Sequence, residues 1–112
     1  MAGYYEIKKA INGQYFFNLK AANNEVILTS EQYKTLDSCK NGIASCQKNS
    51  ADESNFDKKT AKDGSPYFSL KSKDNGQILG RSEMYKTAAS MENGVKSVIT
   101  NGSTDKVKEV ES

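Results

Sequence analysis

Ser30-Glu31-Gln32-Tyr33-Lys34-Thr35 returns as Ser82-Glu83-Met84-Tyr85-Lys86-Thr87, and the return extends in both directions. Upstream, Asn12-Gly13, Phe17 and Leu19-Lys20 recur as Asp63-Gly64, Phe68 and Leu70-Lys71. Downstream, Asn41-Gly42, Ser45 and Asn49 recur as Asn93-Gly94, Ser97 and Asn101. The offset is 51 in the early part and 52 after Lys73, so the second copy carries one extra residue near Asp74, in a loop. Propellers and solenoids of this period need three or more copies, so two copies point to one domain with pseudo-twofold symmetry. That domain spans residues 1–112, with repeats at 4–52 and 55–104 and a short terminal strand or tail at 105–112.

Within one copy the pattern changes from a period of two to a period of about 3.6. Tyr5, Ile7 and Lys9 alternate with Tyr4, Glu6 and Lys8, and Asn12-Gly13 supplies the pair of a tight hairpin turn. Tyr15, Phe17, Leu19 and Ala21 then alternate with Phe16, Asn18 and Lys20, a half-buried strand. Asn23-Asn24 turns the chain into Val26-Ile27-Leu28, a third strand whose inward parity stays open because both sets are apolar. Leu36, Cys39, Ile43 and Cys46 form the stripe of an amphipathic helix with Thr35 as N-cap and Asn49 as a left-handed stop. The second copy repeats this with Thr87, the stripe Ala88, Met91, Val95 and Val98, and Asn101-Gly102 as its end. Gly42 and Gly94 lie inside the helices, which implies a close helix-to-sheet approach. The expected fold is α+β: two tandem three-strand-plus-helix repeats form one mainly antiparallel sheet with both helices on one face.

The chain has 112 residues, 27% of them charged and 36% hydrophobic, with a net charge of +2. This describes a thin core and a wet surface, and a charge too small for the field of a strongly basic nucleic-acid binder. No apolar run approaches a membrane span and the amino terminus has no apolar leader segment, so a cytoplasmic location is expected. Cys39 and Cys46 stand seven apart on one helix face, about 10 Å by helical rise, too far for a disulfide. Their counterparts are Met91 and Val98, which marks them as buried thiols.

Taken together, Asn12-Gly13, Phe17-Asn18-Leu19-Lys20-Ala21, Ser30-Glu31-Gln32-Tyr33 and Asn41-Gly42-Ile43-Ala44-Ser45, with their second-copy partners, resemble the YegP-like family of small bacterial proteins. The resemblance covers Tyr4 to Ser103. It implies tandem β(3)-α-β motifs in a continuous sheet, with terminal strands exchanged between halves. Lys106 to Val110 would then be a strand paired with the other half. Lys58, where the pattern has an apolar residue, and Ser72, where the first copy has alanine, are departures that make the second copy's first strand the weakest element. The family transfers no activity and no catalytic residue.

Histidine is absent, and there is no CxxC pair, Gly-rich phosphate loop or GxSxG elbow. No catalytic residue, metal or cofactor is therefore expected, and the chain reads as a non-enzyme. Catalysis by the repeated carboxylates Glu31 and Glu83 is the remote alternative, against a structural role in satisfying amides at the strand-to-helix junction. Tyr33 and Tyr85 read as pins between helix and sheet. The candidate partner-binding residues are Phe16, Asn18 and Lys20 with Tyr67, Ser69 and Lys71, which share the sheet face opposite the helices. Such a face suits a protein partner. It also suits single-stranded nucleic acid, with Phe16 and Tyr67 stacking bases and Lys20 and Lys71 meeting phosphates. The competing reading is that the rings cover each other across the pseudo-twofold axis. A binding or scaffolding monomer is the expected function.

Overall fold

The computed structural model describes residues 3–109. In chain order the elements are β1 (Tyr4–Lys9), β2 (Tyr15–Lys20), β3 (Val26–Ser30), α1 (Leu36–Asn49), β4 (Phe56–Thr60), β5 (Pro66–Lys71), β6 (Ile78–Arg81), α2 (Ala88–Asn101) and β7 (Val107–Glu109). The strands form a single sheet in the order β4-β5-β6-β3-β2-β1-β7. Each repeat is an antiparallel meander, and β3 joins β6 antiparallel at the centre. Its register pairs Thr29 with Arg81, which are counterparts in the repeat, so the pseudo-twofold axis runs between these two residues.

Local chemistry sets each element. Gly13 and Gly64 take φ of 85° and 89° in the two hairpin turns, a conformation closed to most side chains. The extra residue of the second copy falls in the turn between β5 and β6, which Ser72 and Gln77 close where Ala21 and Glu25 close the first. Thr35 and Thr87 cap the helices, each hydroxyl accepting from the amide three residues on, Ser38 and Ser90. The register shifts between Leu19 and Lys20, so Ile27 is the extra residue of a bulge. That explains the undecided parity: Leu28 is buried, Val26 is exposed, and Ile27 is buried without a place in the ladder.

Two expectations need correction. Asn49 and Asn101 are not left-handed stops: Asn24 is the one described non-glycine residue with positive φ, and the cap residues Ser50 and Gly102 are right-handed. Each asparagine amide instead donates back to the carbonyl four residues earlier, Ser45 or Ser97. Its oxygen accepts a distant amide, Lys73 for Asn49 and Gly3 for Asn101. The second correction concerns the terminal strands. β7 does cross over and pairs parallel with β1, but the first repeat has no such strand. A 3-10 turn at Glu53–Asn55 leads straight into β4, which forms despite Lys58. Val110 lies outside the described residues.

Both helices cover one face, over a core that includes Tyr5, Phe17, Leu19, Cys39, Cys46, Phe68, Leu70 and Val98. Tyr33 stacks over Phe17 and Tyr85 over Phe68, each with centroids 6.3 Å apart and planes at 11°. The tyrosine hydroxyls lie against Gly42 and Gly94, where a Cβ would also come within 3.2 Å of Phe17 and 3.1 Å of Phe68. The close approach is therefore to the tyrosine pin and the phenylalanine beneath it. Residues that meet their own counterparts near the axis cannot both be large. Leu28 fills the space where a Cβ on Gly80 would sit, and the Ser50 side chain fills the one at Gly102.

Candidate functional site

The face opposite the helices is built by the outward parity of each strand. From one edge to the other the register places there Asp57 and Lys59 of β4, Tyr67, Ser69 and Lys71 of β5, and Arg81 of β6. These are followed by Thr29 of β3, Phe16, Asn18 and Lys20 of β2, Tyr4, Glu6 and Lys8 of β1, and Lys108 of β7. All six candidate residues from the sequence share this face, but they are not a continuous open platform.

Phe16 and Tyr67 are half-buried, three strand spacings apart and offset by four residues along the strands, roughly 19 Å in all, so they neither cover each other nor form one stacking surface. Asn18 and Ser69 are buried. Lys20 and Lys71 are held by carboxylates. Lys20 Nζ lies 3.1 Å and Lys8 Nζ 3.4 Å from Glu6, while Lys71 Nζ lies 3.1 Å and Lys59 Nζ 3.5 Å from Asp57. Glu6 and Asp57 are repeat counterparts, so the face twice carries a carboxylate between two lysines. Burial alone would raise the Glu6 carboxyl, but the hydrogen bonds and charges of Lys20 and Lys8 outweigh it and hold the group below its usual value. Hydrogen bonding from Lys71 lowers Asp57, and hydrogen bonding to Glu6 raises Lys20. Tyr4 adds a third ring, with Lys108 Nζ 4.5 Å from its centroid.

The axis itself carries a groove of about 430 Å³ between β3 and β6, whose walls include Val26, Ile27, Thr29, Arg81, Glu31 and Glu83. The two carboxylates do not meet. Glu31 and Glu83 lie two residues beyond the Thr29–Arg81 pair in opposite directions, so their backbones stand four residues of strand rise apart, about 13 Å. The expected contact of Glu31 and Glu83 with junction amides is made by their neighbours: the Ser30 and Ser82 hydroxyls accept from the Phe17 and Phe68 amides and donate to the Glu31 and Glu83 carbonyls. Arg81 Nε approaches Glu31 at 3.8 Å.

Sequence reasoning missed Arg81, Tyr4, Glu6, Asp57 and Lys108. Arg81 is the chain's single arginine and stands where the first copy has Thr29, a mismatch visible in the repeat alignment. Glu6 and Asp57 also align, each two residues before a lysine. The thiols of Cys39 and Cys46 lie in the core, and burial pushes them up to about 11 and about 12. Among the described residues no helix is long and apolar enough to cross a membrane, and no group of three His, Cys, Asp or Glu side chains comes together as a metal site.

Comparison with known proteins agrees with the duplication. A family model described as a domain of unknown function (DUF1508) matches twice, at residues 10–57 and 61–109. A UPF0339 protein of Mannheimia succiniciproducens is 52% identical over 108 residues, 96% of this chain and 95% of the relative. The UPF0339 protein YegP of Yersinia pestis is 50% identical over 108 residues, 96% of each chain. The solution structure of yegP from E. coli, a protein of unknown function, superposes with a TM-score of 0.93 at 48% identity, covering 99% of this chain and 95% of that one. A UPF0339 protein of Shewanella oneidensis gives 0.92 at 48% identity, covering 99% and 93%.

Proposed function

We propose that this chain, which belongs to the DUF1508 family of YegP-like proteins, is a non-enzymatic binding domain that docks an acidic protein partner on its open sheet face. The observation that carries the reading is the charge of that face. Lys8, Lys20, Lys59, Lys71, Arg81 and Lys108 stand there against Glu6, Asp57, Glu31 and Glu83, so with six cations and four acids this one face carries a net charge of +2, as much as the whole chain. The half-buried rings of Phe16 and Tyr67 supply apolar area between the charges.

One feature favours protein over single-stranded nucleic acid: the rings of Phe16 and Tyr67 are too far apart for neighbouring bases. Glu31 and Glu83 leave the axis in opposite directions with backbones about 13 Å apart, which favours binding over a paired-carboxylate site. On this reading the protein works as a monomer in the cytoplasm, with the two repeats forming a pseudo-dimer.

The test uses a glutamate–tyrosine copolymer and a thymidine oligonucleotide as probes of ¹⁵N-labelled protein. Amide shifts confined to β1, β2, β5 and β6 with the copolymer, weakened by Phe16→Ala and Tyr67→Ala, are expected. Shifts confined to the helices would contradict the face, and tighter, steeply salt-dependent oligonucleotide binding would contradict the protein partner.

A further inference from the structure

We infer that the cleft between α1 and the start of β6 binds an uncharged polyol the size of one sugar ring, on the helix side of the sheet and independently of the proposed docking face. The observation behind it is a comparison of the two helices. Of their fourteen aligned positions five are identical: Ser38 with Ser90, Asn41 with Asn93, Gly42 with Gly94, Ser45 with Ser97 and Asn49 with Asn101. The core positions all differ, Cys39 from Met91, Ile43 from Val95 and Cys46 from Val98, and so do the exposed Asp37, Lys40, Ala44 and Lys48. Packing and capping explain Gly42 against the tyrosine pin, Ser38 beside Thr35 and Asn49 at the helix end. They do not explain Asn41 and Asn93. Each is exposed in mid-helix, makes no side-chain hydrogen bond among the described residues, and is a poor helix former.

Asn41 lines a cleft of about 180 Å³ together with Tyr33, Ser38 and Ser45 of its own copy and Gln77 and Leu79 of the other. The site therefore exists only where the two copies share one sheet. The Tyr33 hydroxyl, which lies against Gly42, and the Gln77 carboxamide also lack a hydrogen-bond partner among the described residues. Three polar groups from three segments thus converge on one cleft with their hydrogen bonds unused.

The lining selects the ligand class. Although 27% of the chain is charged, no charged side chain lines this cleft, so an ion entering it would lose hydration and gain no counter-charge. Its three hydroxyls and two carboxamides can each donate and accept, which matches the hydroxyls of a polyol, groups that also do both. Buried Leu79 gives apolar surface for the C–H side of a ring. The volume is below the roughly 300 Å³ at which drug-sized pockets begin, so the occupant is about one ring. The second copy repeats Tyr85, Ser90, Asn93 and Ser97 but has Glu25 where the first has Gln77. Burial and then the charges of Glu83 and Glu25 raise the Tyr85 hydroxyl, so the uncharged lining is particular to the first copy.

The experiment follows the backbone amides and the Asn41 and Gln77 side-chain amides of ¹⁵N-labelled full-length protein through titration with glucose, galactose and mannose, with acetamide and acetate as controls. Saturable shifts at α1 and β6 with at least one sugar, and with neither control, are expected. Asn41→Ala should weaken that binding about three- to tenfold, the worth of one hydrogen bond. Its melting temperature should be equal or higher, because alanine is the better helix former and no protein contact is lost. Tyr33→Phe keeps the ring stacked on Phe17, removes the hydroxyl, and should weaken binding to a similar degree. Methyl glycosides that bind as the free sugars do assign the site to the end of a glycan, and methyl glycosides that fail assign it to a free sugar; either result supports the polyol site. No saturable shift with any of the three sugars, or equal shifts with acetamide or acetate, overturns the inference. So does unchanged affinity in both variants, or a lower melting temperature in Asn41→Ala, which would mark the asparagine as structural.

Discussion

The two edges of the sheet occupy equivalent places in the repeat and end differently. At one edge β1 presents Ile7, 2% exposed, and β7 lies along it in parallel, with Lys108 over Tyr4 and Glu109 paired to Lys40 of α1 at 3.3 Å. At the other edge the counterpart of Ile7 is Lys58, and no strand covers β4 among the described residues. Lys58 turns its ammonium toward the helix side, 2.9 Å from both Glu53 and Glu92. An apolar residue on an edge strand invites another strand, and an inward-pointing charge discourages one. The duplicated unit thus carries one edge that takes a strand and one that is guarded. Of the aligned differences between β1 and β4, only Ile7 against Lys58 exchanges an inward apolar residue for a charge, and Lys58 is the residue that departs from the family pattern.

Splitting the chain should break this comparison most severely. Residues 1–52 lose β7 and uncover the β1 edge, while residues 53–112 keep β7 and lose its partner. Each half also loses the β3–β6 junction and, at about fifty residues, buries too little surface to offset chain entropy. The expected result is an unfolded chain or a homodimer for each half, and a monomer that melts cooperatively near the full-length temperature would refute it.

Next in size are Gly42→Leu and Gly94→Leu, each expected to cost about 1 to 3 kcal/mol through overpacking against the tyrosine pin. Paired Gly42→Leu with Tyr33→Ala should recover part of the loss in a double-mutant cycle, because the ring is the obstacle. Unchanged melting in the single mutants would remove the close contact from the account.

Lys58→Ile sharpens the edge comparison directly. It removes two partly exposed ion pairs, so the change in melting temperature should be small. The readout is association: sedimentation should become concentration-dependent as the β4 edge acquires the apolar residue that β1 has, and a strict monomer would show that Lys58 is not the guard.

The smallest effect is alkaline. Cys39 and Cys46 are raised in the folded state by burial, to about 11 and about 12, above the roughly 8.5 of a free thiol. Their contribution to stability is therefore whole below about pH 8.5 and lost progressively as pH rises through the folded values. Cys46→Val, which installs the residue of the second copy, should flatten part of the decline in melting temperature between pH 8 and 10.5. An equal slope in wild type and variant would assign the decline elsewhere.

What was legible in the sequence was local or duplicated. Turn pairs, cap threonines and the helical stripe depend on neighbours a few residues away, and each was written twice. The residues left β7 open between a short strand and a tail, and its pairing with the other half was legible through the family resemblance alone, because Val107 and Glu109 carry no pattern that names β1 as their partner. The open face was read correctly in parity and too simply in chemistry. Lys20 and Lys71 appear free along their own strands, and their carboxylates come from β1 and β4, reached across the ladder. The helix ends were misread because an asparagine before a small residue suits a left-handed stop, and nothing local shows that its side-chain oxygen is needed to accept from the Lys73 or Gly3 amide.

The central claim is that both copies form one sheet and one cooperative unit, and native-state hydrogen exchange tests it most directly. The most protected amides of α1 and α2, at Ile43 and Val95 in the core, should exchange with one common free energy equal to that of global unfolding. They should also shift together when Gly94→Leu destabilises the second copy. Two distinct opening energies, with Ile43 unmoved by a substitution at Gly94, would show two independent domains and contradict the single-sheet account.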